Sequence, residues 1–170
     1  FPWLFDEKRN TPAAMAQHRW EHRAQLRANN WTLDFIARDA ETQELVGVVD
    51  LSAENFAAAR EVQTASWVLH RFQGQGYGTL IRQAVAEFSF SHLDAHSLRT
   101  CWIKTNRASA RVSEKMGYRI YTEKKEEPAG PEKINRPMVS ARLSAADYHR
   151  PEGVQVDVTG VGEQLLHMLS

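Results

Sequence analysis

The 170-residue sequence contains a single cysteine, Cys101, and has no surplus of either charge, with 21 Lys and Arg against 21 Asp and Glu. One thiol excludes an intramolecular disulfide and a cysteine-rich metal site, and it is compatible with a reducing compartment. Without a basic surplus, nucleic acid is not expected as a partner. His18 and His22 are four residues apart, but no acidic or cysteine cluster accompanies them, so no metal site is expected.

Long apolar runs are also lacking. No stretch approaches the roughly 20 residues that a membrane span needs, and no signal-peptide pattern is present. We therefore expect no membrane partner and a cytoplasmic location. The composition, 42% hydrophobic and 25% charged, is typical of a globular protein with a real core. We assign residues 1–150 to one domain and residues 151–170 to an extension of unknown role, in a monomer or homodimer. Because the sequence starts at Phe1 without a methionine, we expect a missing N-terminal strand before it.

Strand-like and helix-like segments alternate along the chain. Three helices are predicted, at 12–27 with Thr11 as N-cap, from the end of the glycine-rich stretch to Ser91, and at 107–115. Strands are predicted at 31–38, 44–51, 61–69, 98–103, 118–122 and 138–143. Ser144 is expected to cap a short helix to Tyr148, residues 123–133 to form a charged loop, and residues 163–169 to favour a helix that the sequence does not place.

The most informative stretch is QGQGYGT, from Gln73 to Thr79, between a strand-like run and a helix-like run. Glycines without Cβ atoms allow backbone N–H groups to converge with the positive end of the following helix, which suits a pyrophosphate. The dinucleotide fingerprint would need glycine at Thr79, and the Walker lysine is absent. A second segment, NRASARVSEKMGY from Asn106 to Tyr118, predicts a strand end, a short helix and a left-handed cap at Gly117.

These two segments resemble the signatures of the GNAT superfamily of N-acetyltransferases over about residues 31–145. The pattern Q/R-x-x-G-x-G/A is met by Gln73, Gly76 and Gly78. The second pattern begins at Asn106 and ends in a Lys-hydrophobic-Gly-aromatic run at residues 115–118. Ser109, together with Trp67-Val68, is similar to the branch of ribosomal-protein alanine and serine N-terminal acetyltransferases. Two motifs in the right order are far more specific than either one.

The resemblance implies an α/β fold, with a mixed, mostly antiparallel twisted sheet whose central strands splay apart and are flanked by helices. It also implies acetyl-CoA as cosubstrate, with the pantetheine arm between the splayed strands. An extended ligand with amides would there use backbone groups that a splayed edge leaves unpaired. The predicted cofactor-binding residues are Val68, Leu69, His70, Gln73, Gly74, Gln75, Gly76, Tyr77, Gly78, Thr79, Asn106 and Ser109.

The implied reaction moves an acetyl group from the thioester to a primary amine by direct attack. A backbone N–H near Val68 or Leu69 is expected to hold the carbonyl oxygen. Many relatives place a tyrosine four residues before the glycine of the second motif. Here that residue is Ser113, so Ser109 is the first candidate for protonating the leaving thiolate and Ser113 the second.

The general base is predicted less directly. In this branch a glutamate commonly lies four residues before the tryptophan, where this chain has Gln63. Glu61 shares its strand face and could act through a water. An α-amine, with a pKa of about 7.7–8.0, is easier to deprotonate than a lysine at about 10.4. A protein or peptide N-terminus is thus the favoured acceptor, and a small amine or antibiotic the next.

Simpler interpretations accompany these assignments. Asn106 is also an ordinary helix cap, and Glu61 a solvated charge near a strand start. Cys101 is expected to be a buried small hydrophobe, and Trp20, Trp31, Trp67 and Trp102 to lie mostly in the core. Because Gln63 and Ser113 replace the usual base and acid, the alternative function is a catalytically weak acyl-CoA-binding regulatory or interaction module.

Overall fold

The computed structural model describes residues 11–125 and 137–169, which form one mixed sheet with helices on both faces. The strands are β1 (Trp31–Arg38), β2 (Leu45–Ala53), β3 (Glu61–Val68), β4 (Ser97–Ile103), β5 (Arg119–Lys125) and β6 (Pro137–Ser144). The helices are α1 (Pro12–Ala24), α2 (Phe56–Ala59), α3 (Tyr77–Ser91), α4 (Arg107–Lys115) and α5 (Glu163–Leu169). A 3-10 turn, His70–Phe72, joins β3 to the glycine-rich stretch.

The strand order is β1-β2-β3-β4-β6-β5. Four of the described strand pairs are antiparallel, and the central pair, β3 with β4, is parallel. A parallel pair needs a long crossover, which α3 provides. The predicted fold class, a mixed and mostly antiparallel sheet flanked by helices, is confirmed.

The two faces of the sheet carry different side chains. One face supplies the core, in which Leu51, Val62 and Leu98 are fully buried against Ile81 and Val85 of α3. Residues of a strand alternate between faces, so the neighbours of Leu51 point the other way. On that second face α1 lies against the β1–β2 hairpin. Helix α1 has no buried residue of its own, and polar contacts hold it on the sheet.

Several predicted boundaries need correction. Helix α1 begins as predicted, with Thr11 Oγ1 accepting from the N–H of Ala14 at 3.2 Å, but it ends at Ala24 and not at Arg27. The expected helix at 144–148 is a turn, because Ser144 Oγ accepts from the N–H of Asp147 at 3.1 Å and closes the chain locally. Strand β5 continues to Lys125, into the predicted charged loop. The remainder of that loop, 126–133, lies outside the described residues. Residues 1–10 also lie outside them.

Two burial predictions are wrong. Trp20 is 63% exposed, because the side of α1 that faces the sheet carries Arg19 and His22. Cys101 is exposed, because the alternation of β4 directs Thr100 and Trp102 into the core. The expectation of core tryptophans holds for Trp31, which is 3% exposed, and Trp102, at 7%.

The C-terminal segment packs on the domain. Helix α5 is present at the predicted residues, and its Leu169 is 1% exposed in the core cluster. The indole N–H of Trp31 donates to the carbonyl oxygen of Leu169 at 2.9 Å. The tail therefore covers the start of β1. The proposed division of the chain after residue 150 stays a prediction.

Candidate active site

The central strands separate partway along their length. β3 pairs with β4 only from Glu61–Ser97 to Thr64–Thr100. Beyond that point β3 stays paired with β2 as far as Val68, and β4 stays paired with β6 as far as Ile103. Residues 65–68 and 101–103 thus border a gap in the sheet, which confirms the predicted splay.

Backbone groups of β3 face this gap. The N–H of Leu69 donates to the carbonyl oxygen of Val46 at 2.8 Å, on the β2 side. Successive residues of a strand direct their backbone groups to opposite sides, so the N–H and C=O of Val68 point to the gap. The side-chain amide of Gln73 donates to that C=O at 3.0 Å. Of the two predicted donors to a carbonyl oxygen, Val68 faces the gap, whereas the N–H of Leu69 is already bonded.

The glycine-rich loop closes one end of the gap. Gly74 and Gly76 have φ of +77° and +91°, and a Cβ at either position would meet nothing within 4 Å. Gly76 is the N-cap of α3 and offers no side chain to the first-turn N–H groups. The N–H of Thr79 donates to the carbonyl oxygen of Gly76 at 2.9 Å, whereas the N–H groups of Tyr77 and Gly78, the first two helical residues, lie at the positive end of the helix, where an anion can bind. This geometry suits a pyrophosphate, and the role of the loop in cofactor binding stays a prediction.

Three contacts fix the loop to the β1–β2 hairpin. Besides the Leu69 bond, the hydroxyl of Tyr77 donates to Asp39 Oδ2 at 2.6 Å, and Arg71 lies 3.3 Å from Glu44. The Tyr77 hydroxyl, followed by the N–H and hydroxyl of Thr42, lowers the pKa of Asp39 to about 2. The same hydrogen bond raises the pKa of Tyr77. The side chain of Tyr77 is therefore used structurally, which leaves its backbone N–H for a ligand.

The second motif forms the other wall. Asn106 Oδ1 accepts from the N–H of Ser109 at 3.1 Å, so Asn106 is the N-cap of α4, as the simpler interpretation states. A Cβ built on Gly78 would lie 3.7 Å from Val112 Cγ2 and 3.9 Å from Val68 Cγ2. This contact brings the start of α3, the end of β3 and α4 together at one place.

The two candidate serines of α4 differ in access. Ser109 is partly exposed in the first turn of the helix, beside the cap. Ser113 is only 2% exposed. Both assignments stay predictions, and the burial of Ser113 favours Ser109 as the group that could reach a ligand. The roles of the remaining predicted cofactor-binding residues, His70, Gln75 and Thr79 among them, also stay predictions.

Glu61 lies far from this end of the gap. It precedes Val68 by seven residues, which corresponds to about 23 Å along a strand. Its Oε2 lies 2.6 Å from Arg142 Nε and accepts from the hydroxyl of Ser97 at 3.1 Å. The carboxylate is part of an ion network and is not a free solvated charge. Its role as base stays a prediction that this placement does not favour.

Gln63 belongs to the same network. Its Oε1 accepts a hydrogen bond from Arg99 at 2.6 Å, and Arg99 in turn lies 3.6 Å from Glu61. The position where a relative carries a glutamate therefore holds a neutral acceptor paired with an arginine. The residues at the paired end of β3 are joined to one another, and none of these contacts extends to the gap.

A charged cluster between α1 and the hairpin was not predicted from the sequence. Arg19 donates to Asp50 at 2.8 Å and also to Asp34, and His22 Nδ1 lies 3.0 Å from Asp34. Burial, followed by the nearby Asp34 carboxylate, raises the pKa of Asp50 against the opposing effect of Arg19. Burial and the charges of His22 and Arg19 lower the pKa of His18. The feature of the sequence that could have indicated this cluster is Asp50, a lone aspartate inside the apolar run of β2.

A cavity of about 730 Å³ lies elsewhere, under the C-terminal tail. Its walls are mainly apolar side chains of β1, β2 and α3, closed on one side by residues 156–161. None of the predicted catalytic or cofactor-binding residues lines it. In the part of the chain that the structure describes, no three His, Cys, Asp or Glu residues are placed to hold a metal, and no helix is long and apolar enough to cross a bilayer.

Comparison with known proteins gives the family. The model of the acetyltransferase (GNAT) domain matches residues 1–119, more than half of the chain. The spermidine N-acetyltransferase of Vibrio cholerae in complex with CoA and spermine has a TM-score of 0.71 at 16% identity, covering 86% of this chain and 83% of that one. A mutant form of the same enzyme, SpeG, has a TM-score of 0.67 at 17% identity, covering 80% and 76%.

At these identities the solved structures establish a shared fold, and the family match covers both motifs that border the gap. The chain therefore belongs to the GNAT acetyltransferase family and is an acetyl-CoA-dependent N-acetyltransferase.

Proposed function

We propose that this enzyme acetylates the α-amine of a protein or peptide N-terminus, in keeping with its resemblance to the ribosomal-protein branch. The observation that carries the site assignment is the gap between β3 and β4, which lies between the glycine-rich loop and the Asn106 cap. When bound there, acetyl-CoA supplies an activated thioester. The residues of this chain bind and orient it, and they move the protons of the reaction.

Groups on both sides of the gap take part in the proposed reaction. The N–H groups of Tyr77 and Gly78, at the start of α3, bind the pyrophosphate, since the N-cap Gly76 offers them no side chain. The N–H of Val68 is held in the gap by the β2 pairing and donates to the carbonyl oxygen as it gains negative charge. Ser109, partly exposed at the start of α4, donates its hydroxyl proton toward the departing sulfur.

A small amine is the second candidate acceptor. The Vibrio cholerae protein with the same fold has spermine bound, which favours a polyamine here as well. The α-amine is preferred for its lower pKa, about 7.7–8.0 against about 10.4 for a lysine-like primary amine, because a larger fraction is neutral at physiological pH. A pH series with each acceptor therefore separates the two.

The binding-module alternative has its own support. Gln63 is hydrogen-bonded to Arg99, and Ser113 is buried, so neither supplies the base or acid that relatives carry at those positions. Such a module would bind acetyl-CoA and release no thiol with any amine. The question is decided by measuring coenzyme A binding and turnover separately.

The experiment measures coenzyme A affinity by calorimetry and thiol release from acetyl-CoA with a peptide N-terminus, an N-blocked lysine peptide and spermidine. We expect binding, and the fastest release with the peptide N-terminus. Ser109→Ala should lower kcat by about 100-fold with unchanged coenzyme A affinity, whereas Ser113→Ala should retain turnover. Preference for lysine or spermidine would refute the N-terminal assignment, and binding without turnover for every amine would favour the module.

A further inference from the structure

Asp50 lies one strand away from the open edge of β3. Its partner across the β2–β3 pair is Ala65, the first residue beyond the last β3–β4 pair at Thr64. Neighbouring strands are about 4.8 Å apart, and Ala65 precedes Val68 by three residues, or about 10 Å along the strand, so an intervening water molecule is needed to join the Asp50 carboxylate to an amine in the gap. Glu61, the base candidate from the sequence, is the first residue of β3 and lies at the end of that strand farther from Val68.

Asp50 also lies on the face from which an acceptor can enter. A Cβ built on Gly78 would lie within 4 Å of both Val68 Cγ2 and Val112 Cγ2, so the start of α3 and α4 lie on the same face of the gap as the Val68 side chain. By strand alternation, Ala65 and Asp50 are on the other face, together with Trp67. With the pyrophosphate loop and the two helices on one face, the acceptor amine must approach from the other. Asp50 is a carboxylate on that face beside the splay.

We propose that Asp50 is the general base of the reaction, accepting a proton from the acceptor ammonium through one water, and that Arg19, which donates to it at 2.8 Å, positions it. This inference rests on the proposed function. The amine nitrogen forms the bond to the acetyl carbon while the carbon–sulfur bond breaks. Of the three ammonium protons, one goes to Asp50 and then to solvent before the attack. A second leaves the nitrogen as the carbon–sulfur bond breaks and restores the proton that Ser109 gives to the departing sulfur, and the third stays on the amide nitrogen.

The surroundings of Asp50 suit this task. Its side chain is 13% exposed, and the charged or titratable groups around it are His18, Arg19 and His22 of α1 and Asp34 of β1. Burial raises its pKa, which makes the carboxylate a stronger base. Arg19 bonds to Asp50 and Asp34 together, so two carboxylates share one guanidinium. The formal charges of Arg19, Asp34 and Asp50 sum to one negative charge, which favours the approach of an ammonium ion.

A purely structural role, holding α1 on the sheet, makes a different prediction. Asp34 has the same contact with Arg19 and the same 13% side-chain exposure, but it lies on β1, one strand farther from the gap. Asp34→Asn is therefore the matched control for Asp50→Asn. If the cluster serves only to dock α1, the two variants should lose stability and activity together, and the losses should not depend on pH.

The test measures kcat/KM for acetyl transfer to a peptide N-terminus between pH 6 and 9. At pH 6.5 we expect Asp50→Asn to be about 100-fold slower than wild type. The deficit should shrink as the pH passes about 8, where the free α-amine no longer needs a base. Asp34→Asn should stay within about threefold at every pH, and Asp50→Glu should recover part of the loss.

Two measurements independent of turnover complete the test. Calorimetry should give the same coenzyme A affinity for both asparagine variants, and urea denaturation should give similar midpoints. Equal, pH-independent losses in both variants, or full activity in Asp50→Asn at pH 6.5, would overturn the role of Asp50 alone. A wild-type protein that binds coenzyme A but acetylates no amine would overturn the proposed function and this inference with it.

Discussion

The two edges of β3 have opposite properties. Along the β2 edge, pairing runs without interruption from Gln63 to Val68 and is so close that a Cβ on Gly47 would lie 2.3 Å from the carbonyl oxygen of Trp67. Along the β4 edge, pairing stops at Thr64. A strand normally loses stability when it leaves backbone groups unpaired. Here the continuous pairing with β2 holds β3 in place, so the backbone groups on its open β4 edge are available to a ligand.

The same contrast extends to the glycine-rich loop. Its anchors through Leu69, Arg71 and Tyr77 connect to the β1–β2 hairpin, and the side chain of Gln73 connects to the Val68 carbonyl of β3. On the opposite side, Gly78 lies beside α4, since a Cβ built on it would be 3.7 Å from Val112 Cγ2. The hairpin, β3 and the loop therefore form one wall, and β4 with α4 forms the other. The binding site therefore lies between two halves of the sheet, each of which is held together by its own contacts.

The largest effect is expected from breaking the closed edge. Gly47→Ala places a methyl group against the backbone of Trp67, which cannot move without disturbing the β2–β3 pairing. We expect the free energy of unfolding to fall by about 3 kcal/mol, as for severe overpacking. Urea denaturation measures this change.

Gly78→Ala is the matched control for that change. Its new methyl would meet Val112 and Val68 at ordinary contact distance, and alanine is favoured over glycine within a helix by about 1 kcal/mol. Its stability should be equal to wild type or higher. Equal stability of the Gly47 and Gly78 variants would mean that the β2 edge is not the constraint described.

A smaller effect is expected at the open edge, from Gly76→Ala. The position has space for a methyl group but a φ of +91°, which costs an L-residue about 1–2 kcal/mol. The strain should be relieved by rotating the loop N–H groups away from their common point, so coenzyme A affinity should fall by about tenfold, equivalent to about 1.4 kcal/mol.

Gly153→Ala separates strain from binding. Gly153 has a φ of +75° and equally open space, but it lies in the C-terminal tail. It should lose similar stability in urea denaturation while its calorimetric affinity for coenzyme A is unchanged. A parallel loss of affinity in both variants would show that the loop geometry is not what binds the cosubstrate.

Local patterns predicted the parts of this site that each depend on one segment. The bounds of β1, α4 and α5 agree with the sequence, as do the left-handed Gly117 and the cap at Asn106. The reason is that turn chemistry, capping and periodicity act over a few residues. The two motifs also carried the family, because their order along the chain fixes the gap between the strands they follow.

Contacts between distant segments could not be predicted in this way. Arg19, Asp34 and Asp50 are separated by 15 and 16 residues along the chain and meet only when α1 packs on the hairpin. The predicted burial of Trp20 and Cys101 was wrong for the same reason. Whether a residue is buried depends on which face of its helix or strand lies against a neighbouring element. An aspartate amid Val and Leu signals a buried partner, but it does not identify that partner.

The smallest expected effect concerns the bond between the loop and the hairpin turn. The pKa of Asp39 is about 2, with the Tyr77 hydroxyl as the main cause, against an ordinary value of 3.8. Because the folded value is the lower one, this bond stabilises the folded state above about pH 4, and the contribution is lost as the pH falls from about 4 to 2. NMR titration of the Asp39 carboxyl should show its midpoint rising toward the ordinary value in Tyr77→Phe. The residual depression would come from Thr42, and an unchanged midpoint would mean that the hydroxyl does not tie the loop to the closed side of β3.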